Sequence, residues 1–136
     1  MSARDEIMDY VTANWTDTPV YALDDYVSLD DLPATNQEPI LLLDFPSATE
    51  RLVTIAVHER DGWREDGTVQ LIMLHPIGQP SGPTRTLNES FRNLVRGRRI
   101  GATVTMAVDP FSALGQYDGK WQMYISLVDY YRDAFQ

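Results

Sequence analysis

Residues 67–100 decide the fold, and their sequence is GTVQLIMLHPIGQPSGPTRTLNESFRNLVRGRRI. The apolar stretch Thr68–His75 is the longest β-strand candidate in the chain. Ile77–Pro83 holds two glycines and two prolines, a composition typical of a loop. A helix is predicted next, and Thr84 or Thr86 suits its start because a hydroxyl oxygen can accept a bond from a free backbone N–H there. The segment therefore predicts a strand, a loop and a helix in succession.

The predicted helix is amphipathic, with arginines on its polar side, and Gly97 or Gly101 ends it. At about 100° per residue, one side collects the apolar residues Leu87, Phe91, Leu94 and Val95. The opposite side carries Arg85, Arg92 and Arg96, and Arg99 extends this stripe only if helical geometry continues past the first glycine. Because arginine makes planar, bidentate contacts, the stripe favours an interface. A solvated helix face on an acidic protein is the alternative interpretation.

The flanking sequence predicts one more helix and several short strands. Ser2 is a suitable N-cap for a helix over Ala3–Asn14. Apolar or alternating patterns predict further strands over Pro19–Leu23, Ile40–Phe45, Arg51–Val57, Ala102–Val108 and Trp121–Tyr131. Turns are predicted at Asp61-Gly62, Asp66-Gly67, Asp109-Pro110 and residues 117–120. The fold class is therefore α+β: a single domain, 1–136, with a mainly antiparallel or mixed sheet of about five strands and two principal helices packed on it.

Composition excludes several classes of function. The chain has no cysteine, which excludes thiol catalysis, disulfides and thiolate metal sites. A net charge of −9 argues against general nucleic-acid binding, since phosphate affinity depends on clustered Lys and Arg. The N-terminus has no signal-peptide pattern. The longest apolar run, Ile40–Leu43, is far shorter than the ~20 residues of a membrane span.

Charge is unevenly distributed along the chain. Residues 1–50 hold eleven carboxylates and one arginine, whereas residues 85–99 hold five arginines and one carboxylate. The acidic segment includes two pairs of neighbouring aspartates, Asp24, Asp25, Asp30 and Asp31. These aspartates and the arginine stripe are the candidate partner-interface residues. They could pair within one chain or between copies, because a head-to-tail contact joins different patches of identical chains. The acidic stretch 24–39 and the loop 77–83 are long connections and are expected to change on assembly.

No group of residues in the sequence has the spacing of a known catalytic or metal site. His58 and His75 lack paired-ligand spacing, and a strand-end histidine is the plain interpretation of each. The aspartate pairs lack the alternating oxygen ligands and closing glutamate of a calcium loop. Ser47, Ser81 and Ser90 lack the GxSxG context of a hydrolase nucleophile. We therefore expect no catalytic residue, cofactor or metal.

The order of these elements resembles that of the tail terminator proteins of long-tailed bacteriophages. The resemblance spans most of the chain. It lies in a first helix ending near Trp15 and Thr18-Pro19, a strand over Gly67–Gly78, a helix centred on Phe91, and a last strand that begins Gly119-Lys120-Trp121. The family implies an α+β fold assembled as a hexameric ring. Such a ring caps the finished tail tube, stops its polymerisation and offers a surface to head-completion or stopper proteins.

The resemblance also implies a location and a set of partners. The protein would assemble in the host cytoplasm and remain at the head-proximal end of the tail in the virion. Its partners would be further copies of itself, the tail tube protein and a head-completion protein, with no sequence-specific nucleic-acid binding, no membrane and no catalytic residues. The alternatives are another phage neck or tail-completion protein, a bacterial ligand-binding or regulatory α+β domain, and an enzyme with a carboxylate-based site.

Overall fold

The computed structural model describes residues 2–25, 38–57, 60–117 and 119–135. Two α-helices lie in this part of the chain, α1 (Ala3–Asn14) and α2 (Gly82–Val95). A short 3₁₀ turn covers Leu23–Asp25. The strands are β1 (Val20–Ala22), β2 (Ile40–Val57), β3 (Arg60–Pro76), β4 (Arg99–Ile100), β5 (Thr103–Val108), β6 (Ser112–Tyr117) and β7 (Trp121–Phe135).

The described strands form one mixed sheet. Their order is β1-β2-β3-β7-β5-β4, and β6 also pairs with β7. β1 runs parallel to β2, and every other pairing is antiparallel. The α+β class, the mixed sheet and the two helices agree with the sequence prediction. The predicted number of about five strands is wrong, because β4 is only two residues long and β6 (SALGQY) has no apolar alternation.

Two predicted turns are also wrong. Asp61-Gly62 and Asp66-Gly67 both lie inside β3, which continues to pair with β2 and β7 at these positions. Glycine is required at position 67 because the Tyr130 side chain approaches the backbone closely, and not because the chain turns. A Cβ at this position would lie 2.3 Å from the hydroxyl oxygen of Tyr130. β2 likewise joins two predicted strands into one, with a shift in register between Asp44 and Ser47 that accommodates the intervening Pro46.

The far edge of β7 is shared by two strands, which divides the sheet into two rows. β6 pairs with residues 121–125 of β7, and β5 pairs with residues 128–132. The first row therefore runs β1-β2-β3-β7-β6, and its register passes through Val20, Leu41, Met73, Tyr124 and Ala113. We call it the five-strand row; β1 and β6 are its two outer strands.

Both helices pack on one face of the sheet. Their buried residues Ile7, Val11, Phe91 and Val95 belong to the same core as Leu41, Leu43, Leu71 and Met73 of the strands. The rings of Trp15 and Phe91 meet edge to face, with centroids 5.2 Å apart and planes at 75°. The predicted apolar side of α2 is therefore confirmed for Phe91 and Val95, which are buried, and for Leu87 and Leu94, which pack against this core.

A second apolar cluster lies on the opposite face of the same strands. It contains Ile40, Leu42, Ile72, Leu74 and Trp121, all at most 7% exposed. These residues alternate along β2 and β3 with the helix-side core residues, as side chains on successive strand positions must. The five-strand row is therefore apolar on both faces, which explains why Ile40–Leu43 is a continuous apolar run and not an alternating one.

The first helix is attached to the far end of the sheet through Glu6. Its carboxylate accepts hydrogen bonds from Arg132 Nε (2.7 Å), the Ala102 backbone N–H (2.8 Å) and the Thr103 hydroxyl (3.3 Å). Burial acts to raise the pKa of Glu6, but the bonds from these three groups outweigh it and hold the pKa below its ordinary value. α1 itself begins with a capping box between Ser2 and Asp5, as the Ser2 N-cap predicted.

The lowered pKa of Glu6 predicts a specific loss of stability in acid. Because the folded-state pKa is the lower one, this carboxylate contributes its full stabilisation above about 4.3, the unfolded value, and the contribution is lost as pH falls through the folded pKa. We expect Glu6→Gln to flatten this part of the pH dependence of the unfolding free energy in urea titrations. Glu38→Gln, which changes an exposed carboxylate, is the control. An equal pH slope in wild type and Glu6→Gln would contradict the assignment.

Gly101 and Gly97 provide a matched pair that tests the Glu6 contact. Both have positive φ, +61° and +60°, so alanine is strained by about 1–2 kcal/mol at either position. A Cβ at Gly101 would lie 1.6 Å from Glu6 Oε2, whereas nothing lies within 4 Å of a Cβ at Gly97. We expect Gly101→Ala to destabilise the protein by at least about 2 kcal/mol more than Gly97→Ala, measured by urea unfolding. Equal losses would show that the space around Gly101 is not restricted.

Candidate interaction surface

The second helix begins two residues before the predicted cap. Ser81 occupies the N-cap position without a side-chain cap bond, and Pro83 lies in the first turn. The predicted caps Thr84 and Thr86 are therefore wrong: Thr84 is buried and bonded to His75, and the Thr86 hydroxyl donates to the Gly82 carbonyl. The helix ends as expected at a glycine, since Arg96 is the C-cap and Gly97 follows with positive φ.

His75 fastens the loop between β3 and α2. Its Nε2 lies 2.9 Å from the Gln79 carbonyl oxygen, and its Nδ1 lies 2.7 Å from the Thr84 hydroxyl. A carbonyl can only accept, so Nε2 carries a proton and donates to Gln79, and Nδ1 forms the second bond with the Thr84 hydroxyl. The loop 77–83, which the sequence predicts to change on assembly, is held at Gln79 by this histidine. His75 itself is buried at the end of its strand. His58 lies outside the described residues.

The four arginines of the predicted stripe differ in exposure. Arg85 is exposed on α2, Arg96 is exposed at the C-cap of α2, and Arg99 is exposed on β4. The Arg92 side chain is only 15% exposed, and its Nε and Nη2 donate to the carbonyl oxygen of Val108 at 3.2 and 2.9 Å, while Nη1 pairs with Glu89 at 3.1 Å. Arg92 therefore joins α2 to the end of β5, and the expectation that it points outward is wrong. Helical periodicity gives its side of the helix but not the strand end lying beside it.

The remaining arginines near the end of α2 have different local roles. Arg96 Nη2 donates to the Asn93 side-chain oxygen at 2.7 Å. Arg98, which the sequence did not single out, donates to the carbonyls of Leu94 and Asn93 and so satisfies free acceptors at the helix end. An arginine just after a helix-ending glycine is the signal that could have identified this role.

Of the four candidate aspartates, the structure describes Asp24 and Asp25. Asp24 accepts two bonds from Arg4, from Nε at 2.9 Å and from Nη2 at 2.8 Å. The hydrogen bonds from Arg4 hold the pKa of Asp24 below its ordinary value, although partial burial opposes them. Asp25 ends the 3₁₀ turn. Asp30 and Asp31 lie outside the described residues. Asp24 is thus joined to Arg4, the only arginine or lysine among residues 1–50.

A cleft opens between α2 and the turn that leads into β6. It is lined by Arg85, Asn88, Glu89, Arg92, Pro110, Phe111, Ala113 and Tyr124. Asn88 is only 6% exposed, and its Oδ1 is buried without a hydrogen-bond partner in the described part of the chain. An unsatisfied buried polar atom is uncommon in native proteins, because losing water without gaining a partner costs about 1–3 kcal/mol. The cleft is therefore the candidate interaction surface that the geometry singles out.

Two further findings limit the chemistry of the described residues. Among the residues that the structure describes, no group of three or more histidine, aspartate or glutamate side chains is placed to hold a metal ion. Neither α1 nor α2 is long and apolar enough to cross a membrane.

Comparison with known proteins gives a fold and no function. No family model matches the chain, and no curated protein sequence matches it. Eight chains of known structure match it. One of them aligns over 100% of this chain and 99% of its own, with a TM-score of 0.53 and 19% sequence identity. At this identity the similarity shows the fold alone.

Arg92 and Arg96 lie on the same side of α2 but make different contacts, so replacing each of them tests whether Arg92 joins α2 to β5. We expect Arg92→Ala to lower the unfolding free energy by about 1.5–3 kcal/mol, because it removes charge-assisted bonds to a backbone carbonyl. Arg96→Ala should change it by about 0.5 kcal/mol or less, since its side chain is exposed. Urea unfolding of both variants at one pH measures the difference. Equal, small effects would mean that Arg92 is a solvated side chain.

Proposed function

We propose that this chain is a structural virion protein. Six copies of it form a ring at the head-proximal end of a phage tail tube. The ring stops polymerisation of the tube and joins the tail to a head-completion protein. One observation carries the proposal: the five-strand row ends in two different outer strands, β1 and β6, neither of which has a second strand partner among the described residues. Two different open edges on one chain suit a head-to-tail contact, and head-to-tail contacts close into a ring when the rotation between neighbouring copies closes.

The charges at the two ends of the row support the same arrangement. Asp17, just before β1, is exposed, and Arg85 lies at the cleft beside β6. An acidic end and a basic end on one chain attract each other between neighbouring copies and disfavour contacts between like ends. The net charge of −9 opposes association in free solution, so a ring would form most readily where copies are concentrated on the tube.

The order of elements supports the choice of this ring over other assemblies. The landmarks of the tail terminator resemblance occupy defined places in the fold: the rings of Trp15 and Phe91 meet edge to face, and Trp121 begins β7. A ring has two rims, and we assign one to the tail tube protein and the other to the head-completion protein. Assembly would take place in the host cytoplasm.

Deleting the coding sequence from its genome tests the proposal. If the ring stops tube growth, virions or lysates of the deletion strain should contain tail tubes of irregular and excessive length that are not joined to heads. Electron microscopy of negatively stained lysates measures tube length, and supplying the wild-type chain from a plasmid should restore it. Cryo-electron microscopy of complete tails should place the chain in a ring at the head-proximal end.

Two results would contradict the proposal. One is tails of normal length and normal attachment in the deletion strain. The other is a complete tail reconstruction in which this fold is missing from the head-proximal end. A genome that produces no tailed particle under inducing conditions would point instead to the bacterial ligand-binding or regulatory alternative.

A further inference from the structure

We infer that the cleft between α2 and β6, together with the open edge of β6, receives the β1 edge of a second copy of this chain. The inference rests on the proposed ring and specifies its subunit contact. Three features of the cleft side call for an incoming chain: an unsatisfied acceptor, an unpaired guanidinium and an edge strand without charged residues or proline. Two features of the β1 side match them.

The unsatisfied acceptor is Asn88 Oδ1. It is buried in the wall of the cleft, and no donor in the described part of the chain reaches it. Buried amide oxygens normally have a partner, so the geometry points to a donor supplied from outside. Because this oxygen has almost no exposed surface, a backbone N–H of a segment entering the cleft reaches it only when the Asn88 side chain turns toward the cleft.

The unpaired guanidinium is Arg85. It lines the same cleft and is exposed, and its side chain makes no hydrogen bond or ion pair with another described residue. Glu89, one helical turn further on, is within range of an (i, i+4) pair but bonds to Arg92 instead. Arg85 is therefore available to a carboxylate of an incoming segment, and partial exclusion of water in the cleft would strengthen that pair.

The edge strand is β6, whose sequence SALGQY contains neither a charged residue nor proline. Natural sheets usually protect open edges with such residues, because an unpaired edge is a template for another strand. A bulge between Ala113 and Gly115 leaves Leu114 without a partner on β7, and its side chain is 63% exposed. The bulge limits the length of any added strand, and Leu114 offers apolar surface that a neighbour would cover.

The matching features lie at the other end of the five-strand row. β1 pairs with β2 on one side and with no other described strand. Asp17, three residues before it, is exposed and has no hydrogen bond or ion pair within the described residues. An added β1 edge would therefore bring both backbone donors and a carboxylate to the side of the cleft that holds Arg85.

The directions of the strands agree with this contact. β2 and β7 both run antiparallel to β3 and so run the same way, and β1 runs with β2. β6 runs antiparallel to β7 and is therefore opposite to β1. Rotation about a ring axis that lies along the strands preserves these directions, so β6 of one copy meets β1 of the next antiparallel. Antiparallel pairing is the slightly more stable kind.

Charge reversal with rescue tests the contact on the full-length purified chain. Sedimentation equilibrium over a concentration series up to the solubility limit measures self-association. We expect Arg85→Asp and Asp17→Arg each to weaken association about tenfold or more, as loss of a partly desolvated ion pair does. The double variant should recover to within about threefold of wild type, because the pair is restored with reversed sign. Leu114→Asp should weaken association without rescue.

Arg98→Asp is the matched control, since it makes the same change in net charge at an exposed arginine just after α2 that does not line the cleft. Circular dichroism should show that all variants keep the wild-type fold. The inference is overturned if wild type stays monomeric at every concentration, or if Arg85→Asp weakens association no more than Arg98→Asp. It is also overturned if the double variant is as weak as the singles. In each case a ring seen on complete tails would leave the proposed function standing, formed through another surface.

Discussion

The carboxylate of Glu6 holds together three parts of the chain that are far apart in sequence. It lies in the first helix and accepts from Ala102 and Thr103, which are 96 and 97 residues away, and from Arg132, which is 126 residues away. Ile7 and Val11 pack α1 on the sheet, and this buried acceptor ties the helix to the end of the sheet that holds Arg132. The same carboxylate requires glycine in the turn before β5. A side chain at position 101 would occupy the space that the Glu6 carboxylate fills.

Local patterns in the sequence predicted the elements whose cause is local. The bounds of the first helix, Ala3–Asn14, agree with prediction because the capping box and the periodic apolar residues lie within a few residues of each other. Gly67 shows the limit of such reasoning. A glycine after an aspartate is typical of a turn, but here the requirement comes from Tyr130, sixty-three positions later, whose ring passes over the backbone of β3. A single sequence does not record which distant ring will cross a strand.

The candidate site divides in the same way. Periodicity correctly placed Phe91 and Val95 toward the core and Arg85 and Arg96 toward solvent, because these directions follow from helix geometry alone. Arg92 differs because the carbonyl of Val108, at the end of another element, lies within its reach. No sequence pattern singled out Asn88, because an asparagine on the flank of a helix is common. Its side-chain oxygen stands out only in the structure, where it is buried and no described residue donates to it. The acceptor that defines the cleft is thus a property of packing and not of composition.

The position of β7 in the sheet has a consequence for biosynthesis. β7 pairs with β3 on one side and with both β5 and β6 on the other, yet it is translated after all three. While a nascent chain emerges from the ribosome, those strands have open edges and an uncovered apolar face until their shared partner arrives. The sheet therefore cannot close progressively from the N-terminus. The pairings of β1, β2 and β3 can form first, but the three pairings that involve β7 form last. The interval before them is when the chain has most to gain from a chaperone that shields exposed strands.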